Sequence, residues 1–315
     1  MIEVKNLTKR YGDIKALDDI SFTVDTGEVL GFLGPNGAGK STTMNIITGY
    51  ISSTSGTVTV DGSEILENPR ETKSKIGYLP EIPPLYPEMT VRKYLEFMFD
   101  LKKVKLPKKE HIEEIMRLVR ISDMADRLIK NLSKGYRQRV GFGQALLGNP
   151  PVLILDEPTV GLDPKQIIEV RKLIRSLGKK HTVIFSSHVL SEISATCDRI
   201  IVISEGRIVA DSKTDELSKA LADTQKLSLT AEGSPSEVLG EIKKIPGVKK
   251  YMKVRELNEK TALYSVEYSN DCDIRREVFS AMVRINSPIL EMKSGNESLE
   301  DMFLKLTQGT EKGGR

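Results

Sequence analysis

A glycine-rich segment near the N-terminus ends in a lysine followed by hydroxyl residues. It consists of Gly34, Pro35, Asn36, Gly37, Ala38, Gly39, Lys40, Ser41 and Thr42. The spacing fits GxxxxGK[ST], directly after the apolar run Val29–Leu33 and before a helical pattern over residues 42–47. Because glycine has no Cβ, such a loop can wrap backbone N–H groups around an anion. We expect Lys40 to reach the β- and γ-phosphates of a nucleotide and Ser41 to bind Mg²⁺. A glycine-rich turn without a ligand is the weaker interpretation.

Two adjacent acids follow a second apolar run. Asp156 and Glu157 come directly after residues 152–155, which are all Val, Leu or Ile. We expect Asp156 to belong to the Mg²⁺ shell, and Glu157 to orient or deprotonate the water that attacks the γ-phosphate. The alternative is an acid pair that faces solvent at the end of a strand. The presence of both motifs, in this order along the chain, favours the hydrolytic interpretation.

A third segment, between the first two in sequence, places a hydroxyl and a glycine before a helical pattern that starts at about Gln138. It reads Leu132-Ser133-Lys134-Gly135-Tyr136-Arg137-Gln138-Arg139. The positive end of a helix dipole, together with the Ser133 hydroxyl and the Gly135 amide, favours an anion. Ser133 could equally be an ordinary N-cap. On its own, this segment leaves both readings open.

Strands and helices predicted around these three segments must bring them together. Over residues 1–217, short β-branched runs alternate with helical patterns, which is typical of an α/β sheet. Near-continuous apolar runs at Val29–Leu33, 152–155, 182–185 and 199–203 predict strands covered on both faces. Helical patterns over 91–102 and 111–119 predict a helical insertion at about 85–150. Together, these patterns and the motifs predict a P-loop nucleoside-triphosphatase fold with a helical subdomain.

Residues 226–307 have a different order. Strand patterns at 226–231, 248–256, 261–268 and 289–293 enclose two helical patterns, at 236–245 and 274–285. This βαββαβ order predicts a small α+β, ferredoxin-like C-terminal domain. Residues 218–225 are expected to be a linker, residues 299–306 an amphipathic helix, and residues 308–315 a disordered tail.

Composition excludes several classes of protein. The 315 residues contain 47 Lys and Arg and 44 Asp and Glu, a formal net charge of +3, which argues against a nucleic-acid coat protein. The apolar runs are far shorter than the roughly 20 residues that span a bilayer, and no export signal is expected at the N-terminus. Two distant cysteines predict a reducing compartment without structural zinc. His111 and His181 are expected at the surface.

The motifs and their order resemble the ATP-binding subunits of ABC transporters over residues 1–217. The family signature is LSGGQ followed by QR. The chain matches it at Leu132, Ser133, Gly135, Gln138 and Arg139. Lys134 and Tyr136 replace a Gly and a Gln. The resemblance implies that Tyr11 stacks on adenine, that Asp163 acts across a dimer interface and that His188 contacts the γ-phosphate. Glu81 stands where the family usually has Gln and is expected to sense the γ-phosphate through Mg²⁺ or water.

The family also implies an assembly. Two such domains face each other head to tail, as a homodimer or a heterodimer, and each ATP lies between the Lys40 loop of one chain and Ser133 and Gly135 of the other. With Lys134 and Tyr136 in the signature, and with its pattern at 297–307, the sequence resembles the ATPases that serve ABC-2-type exporters. These include gliding-motility, sodium-efflux and drug-efflux groups. The expected partner is a separate ABC-2-type membrane permease, which would dock near residues 82–94 unless those apolar side chains are plain core. The expected location is cytoplasmic, peripheral at the membrane through the permease, without direct membrane insertion and without nucleic acid.

Other functions remain in view. A soluble ABC ATPase for assembly, translation or DNA maintenance is the main alternative. A translation factor would usually carry two such domains, and a chromosome ATPase a long coiled coil, which residues 52–131 do not show. A non-hydrolytic ATP-sensing scaffold is disfavoured by the intact Lys40, Glu157 and His188. A GTPase is disfavoured because no NKxD motif is present.

Overall fold

The chain divides into two structural units that are described separately. A computed structural model describes residues 1–214, 216, 224–258, 260–269 and 271–296. Residues 1–214 form the first unit, and the described residues from 216 onward belong to the second. The helix expected at 299–306, the tail expected at 308–315 and most of the expected linker lie outside the described residues.

The first unit alternates strands and helices. Its strands are β1 (Ile2–Tyr11), β2 (Ile14–Val24), β3 (Val29–Leu33), β4 (Ser55–Val60), β5 (Ser63–Glu64), β6 (Ile76–Leu79), β7 (Val152–Asp156), β8 (Thr182–Ser187), β9 (Arg199–Ser204) and β10 (Arg207–Lys213). Its helices are α1 (Lys40–Ile47), α2 (Pro69–Ser74), α3 (Val91–Leu101), α4 (Lys108–Leu118), α5 (Lys134–Leu146), α6 (Pro164–Gly178) and α7 (Leu190–Ser194), with short 3-10 turns at Ser122–Met124 and Ile129–Asn131.

A six-stranded sheet in the order β10-β9-β3-β8-β7-β6 carries the site. Strands β9, β3, β8, β7 and β6 are parallel, and only β10 runs antiparallel to its neighbour. Every residue of β3, β7 and β8 is buried, as their apolar runs predict. Because these strands are adjacent and parallel, their carboxyl ends lie side by side, with Leu33 paired to Ser187 and Asp156 to Ser186.

A second sheet, β2-β1-β4-β5, is antiparallel and shares its core with the first. One continuous cluster of buried residues joins Leu17 and Phe22 of β2 to Phe32 of β3 and Ile154 of β7. The Phe22 and Phe32 rings lie 5.6 Å apart at their centroids. The strand that leads into the glycine-rich segment is therefore held on one face by apolar contacts with the second sheet.

Helices α3, α4 and α5 form the expected helical insertion between β6 and β7. Two expected helix starts were wrong by a few residues. Helix α5 begins at Lys134 rather than near Gln138, because the Ser133 Oγ accepts a hydrogen bond from the Tyr136 N–H (3.4 Å) and caps the helix there. Helix α1 begins at Lys40 rather than Thr42, directly after the left-handed Gly39.

The expectation that His111 and His181 lie at the surface was also wrong. Their exposed fractions are 9% and 5%. The His111 Nε2 accepts a hydrogen bond from the Gly148 N–H (3.0 Å), and burial lowers the pKa of this imidazole. The His181 Nδ1 lies 2.7 Å from the Pro150 carbonyl oxygen. Both imidazoles satisfy backbone groups at the turn between α5 and β7, a contact that sequence spacing does not reveal.

The second unit has the predicted βαββαβ order. It contains β11 (Thr224–Glu232), α8 (Pro235–Ile242), β12 (Val248–Glu256), β13 (Thr261–Ser269), α9 (Arg275–Arg284) and β14 (Ile289–Asn296). The strands form an antiparallel sheet in the order β12-β13-β11-β14, and Val238 and Met282 of the two helices pack on the buried Leu229 and Tyr264. The expected α/β fold with a small α+β, ferredoxin-like unit after it is confirmed.

The central sheet should dominate the stability of the first unit. Ile154 is fully buried in β7, so Ile154→Ala should lower the free energy of unfolding by about 3 kcal/mol through lost burial and a residual cavity. Ile14 is 72% exposed, and Ile14→Ala should change the free energy of unfolding by less than about 0.5 kcal/mol. Urea denaturation of both variants measures the difference. Equal losses would contradict the assignment of Ile154 to the core.

Candidate nucleotide-binding site

The phosphate-binding loop depends on a glycine in a conformation that other residues avoid. Gly39 has a φ of 109°. A Cβ at this position would lie 2.7 Å from Leu17 Cδ2 and 2.9 Å from the Ala16 carbonyl oxygen. No side chain fits there, so the chain can turn sharply from β3 into α1 only with glycine. The turn leaves the first N–H groups of α1 available to an anion.

Lys40 is the buried cation of the site. Its Nζ donates hydrogen bonds to the carbonyl oxygens of Gly34 (2.8 Å) and Pro35 (3.2 Å). The same nitrogen lies 3.2 Å from Glu157 Oε1, and the two side chains are only 6% and 7% exposed. The ammonium group therefore connects the loop after β3 to the acid after β7, in surroundings where water screens little of the attraction.

Asp156 and Glu157 share one hydroxyl partner on the neighbouring strand. Ser186 Oγ donates to Asp156 Oδ1 (2.6 Å) and accepts from the Glu157 N–H (2.9 Å). Burial raises the pKa of the Asp156 carboxyl, and the hydroxyls of Ser186 and Ser41 oppose that rise. Ser186 was not singled out from the sequence, although two polar residues at the end of an apolar strand, next to His188, are the signal that could have found it.

Glu157 has a strained backbone, and its side chain is held by a histidine. Its φ of 47° lies in the left-handed region, which is uncommon for a glutamate. Glu157 Oε2 lies 2.9 Å from His188 Nδ1, while Oε1 faces Lys40. The His188 side chain is 43% exposed, so it connects the buried carboxylate to the open cleft.

A second acid that sequence reasoning missed joins the loops behind the site. Glu192 is 7% exposed, and its Oε2 accepts hydrogen bonds from Thr159 Oγ1 (2.5 Å) and Ser187 Oγ (3.1 Å). Thr159 follows Glu157, and Ser187 precedes His188. This buried network keeps both catalytic candidates at a fixed separation.

Most of the expected nucleotide site lines one cleft of about 340 Å³. Its lining residues are Ala16, Asn36, Gly37, Gly39, Lys40, Ser41, Thr42, Glu81, Glu157, Val160 and His188. Gly34, Pro35 and Ala38 belong to the loop that forms one wall, and Asp156 directly precedes Glu157. Tyr11 lies outside this lining, 50% exposed at the end of β1, with Lys9 Nζ 5.1 Å from its ring centroid.

The expected signature residues lie elsewhere. Gly135 and Asp163 line a different cleft of about 590 Å³ with Tyr136 and Gln166. Gly135 packs so closely on the Gln166 side chain that a Cβ would lie 2.6 Å from it. Asp163 caps α6 through the Gln166 N–H (2.9 Å), and Ser133 caps α5. One chain therefore holds two separate parts of the expected site.

The donor set suits a hard cation bound together with phosphate. The oxygens of Ser41, Asp156 and Glu81 are the ligand type that Mg²⁺ prefers. Within the described ranges, no group of three or more His, Cys, Asp or Glu residues is arranged to hold a metal ion. Ser41 and Asp156 would therefore offer Mg²⁺ two oxygen ligands beside the phosphate-binding loop.

Comparisons with known proteins agree with this geometry. A family model described as ABC transporter matches residues 17–160. The bacitracin transport ATP-binding protein BcrA of Bacillus licheniformis is 39% identical over 221 residues, which cover 70% of this chain and 72% of BcrA. The linearmycin resistance ATP-binding protein LnrL of Bacillus subtilis (strain 168) is 33% identical over 98% of this chain and 99% of LnrL. The chain belongs to the ABC transporter ATP-binding proteins.

Solved structures support the same family for this ABC ATPase. The dimeric structure of MJ0796, a bacterial ABC transporter cassette, has a TM-score of 0.63 at 29% identity and covers 68% of this chain and 99% of the cassette. A post-hydrolysis state of MJ0796 bound to ADP and Pi has a TM-score of 0.62 at 28% identity, with the same coverage. The ABC ATPase is therefore an ATP hydrolase. Across the part of the chain that the structure describes, no helix is long and apolar enough to cross a membrane.

Burial, more than distance, should decide the strength of the Lys40–Glu157 ion pair. Lys40→Met should lower the free energy of unfolding of the nucleotide-free protein by about 3 kcal/mol, because it leaves Glu157 buried without its cation. Lys75 lies closer to its partner Glu71, at 2.8 Å, but both side chains are more exposed. Lys75→Met should therefore cost less than about 1 kcal/mol. Urea unfolding compares the two, and a larger loss at Lys75 would contradict this ranking.

Proposed function

We propose that this ABC ATPase powers an exporter whose membrane-spanning permease is a separate polypeptide. The observation that carries the proposal is the division of the site: Lys40, Glu157 and His188 share one cleft, whereas Gly135 and Asp163 line another. A second ATPase chain would complete each site. Support for export comes from relatives named for bacitracin transport and linearmycin resistance.

The proposed dimer is head to tail, as a homodimer or with another ABC ATPase. The N–H groups in the first turn of α5 lack partners within the helix, and this turn lies beside Ser133 and Gly135. They are suited to the γ-phosphate of an ATP held in the other chain's Lys40 loop. ATP then joins the two chains, and its hydrolysis releases them, which supplies a mechanical cycle to a permease.

We assign hydrolysis to Glu157. Its carboxylate takes the proton from the attacking water, while His188, hydrogen-bonded to Glu157 Oε2, orients it and contacts the γ-phosphate. Lys40 changes partners from the Gly34 and Pro35 carbonyls to the β- and γ-phosphates. When bound, Mg²⁺ neutralises phosphate charge, with Ser41, Asp156 and Glu81 as its protein ligands. Tyr11 stacks on adenine.

Glu157→Gln should separate binding from hydrolysis. The amide keeps the size of the side chain but cannot accept the proton, so kcat should fall about 10³-fold while ATP affinity is retained. Phosphate release and equilibrium ATP binding measure the two properties. Glu67→Gln, at an exposed loop position, is the matched control and should leave both unchanged. An unchanged kcat for Glu157→Gln would contradict the assignment of Glu157 as the base.

An exposed apolar surface beside the helical insertion is the proposed permease dock. Ile82 is 82% exposed and Tyr86 51%, and the Tyr86 ring packs edge-on against Phe97, with 5.6 Å between the ring centroids. Tyr94, by contrast, is fully buried and its hydroxyl donates to Gln144 Oε1 (2.5 Å), so this part of residues 82–94 is core. The exposed members suit an apolar helix face of a cytoplasmic permease loop.

Affinity capture tests the transporter assignment. The Glu157→Gln form, added with Mg-ATP to detergent-solubilised membranes of the source organism, should retain a multi-spanning membrane protein in stoichiometric amount, identified by mass spectrometry. The same protein with Ile82→Glu should bind ATP but lose that partner, because a charge then occupies the apolar dock. Recovery of only the ATPase itself, or of ribosomal, nucleic-acid or assembly proteins, would favour a soluble ABC ATPase instead.

The proposed location is the cytoplasmic face of the membrane, through the permease. We assign residues 1–217 to the ATP-binding domain and residues 226–307 to an accessory domain. The linker predicted at 218–225 was too long at its C-terminal end, because β11 begins at Thr224. The βαββαβ arrangement of the accessory domain is shared by proteins of many functions and specifies none of them.

A further inference from the structure

We propose that Lys134 of one chain forms an ion pair with Glu81 of a second copy when ATP brings the two together. The inference rests on the proposed head-to-tail dimer and names a contact that sets its strength. Both residues are departures from the family pattern, and they carry opposite charges. They lie on the two surfaces that the proposed dimer brings together.

Glu81 adds a negative charge to a cleft that contains few cationic side chains. It is exposed at the end of β6 and lines the cleft with Glu157. Lys40 is the single lysine or arginine among the described lining residues, and it already pairs with Glu157. Among the described residues, no lysine, arginine or histidine lies within ion-pair distance of Glu81. MgATP carries a net negative charge, so its binding adds to the negative charge of this cleft even with Mg²⁺ beside Glu81.

Lys134 is a cation without a carboxylate partner. It is the first residue of α5, between Ser133 and Gly135, and it is exposed. Its side chain lies across Gly161, where an added Cβ would overlap the ammonium group. No carboxylate in the described part of the chain lies within ion-pair distance of it. Lys134 therefore presents a positive charge beside the loop that follows Glu157.

Two of the neighbouring cations are already paired. Arg139 pairs with Glu169, and Arg120 lies 3.8 Å from the same carboxylate. Lys165 also lines the cleft of Gly135 without an ion pair among the described residues, but Lys134 lies directly between Ser133 and Gly135. An ion pair with Glu81 would join one unpaired charge from each surface. Closure of the dimer excludes water from this site, so the attraction is stronger there than at an open surface.

A double-mutant cycle in the full-length Glu157→Gln protein tests the pair. Sedimentation equilibrium with Mg-ATP gives the dimer Kd. Lys134→Gln should raise it about tenfold when residue 81 is Glu, and less than about twofold in the presence of Glu81→Gln. Arg137→Gln removes an exposed cation one turn further along α5 and should show no such dependence on residue 81. Lys134→Glu should prevent dimerisation, because it places a second carboxylate opposite Glu81.

The outcomes distinguish this contact from the proposed function. Lys134→Glu places an acid in the first turn of α5, which favours the helix, and retained ATP binding by the monomer confirms folding. If the Glu157→Gln parent stays monomeric with Mg-ATP, self-association is wrong and the ion pair falls with it. If the parent dimerises but Lys134→Gln has the same effect with either residue at position 81, the ion pair alone is overturned, and Lys134 contacts the phosphate instead.

Discussion

The buried ion pair between Lys40 and Glu157 is the contact on which the site depends. It joins the loop after β3 to the loop after β7, and the parallel pairing of these strands with β8 brings the three segments to one edge of the sheet. Two charges taken out of water are tolerated only where further polar groups satisfy them. The carbonyls of Gly34 and Pro35 do this for the lysine, and His188 does it for the carboxylate.

The same arrangement explains why the site is ready for a nucleotide. Lys40 is already positioned by two carbonyl oxygens and one carboxylate, so an incoming phosphate replaces existing partners and does not need to order a free side chain. Ser186 and Glu192 form a second layer that fixes Asp156, Glu157 and the residue before His188. The left-handed backbone at Glu157 is held by this network and by the fully buried strands beneath it.

The two clefts make the chain chemically incomplete by itself. Lys40, Glu157 and His188 line one cleft, and Gly135 near the start of α5 lines the other. In the dimer that we propose, ATP would join the two chains by binding to both kinds of cleft. Glu81 and Lys134 suggest that the strength of that association is adjusted by charge at the same surface that encloses ATP.

The sequence by itself determined the chemistry of the site and the order of its elements. The motif at 34–42, the acids at 156–157 and the apolar strands are local patterns, so their meaning is present in neighbouring residues. The tertiary structure decided what distant residues do to one another. It assigned Ser186 and Glu192 to the site, buried His111 and His181 and left Tyr11 outside the cleft lining. These outcomes depend on which strands and turns lie side by side, and contacts between residues about thirty positions apart leave no periodic signal in the sequence.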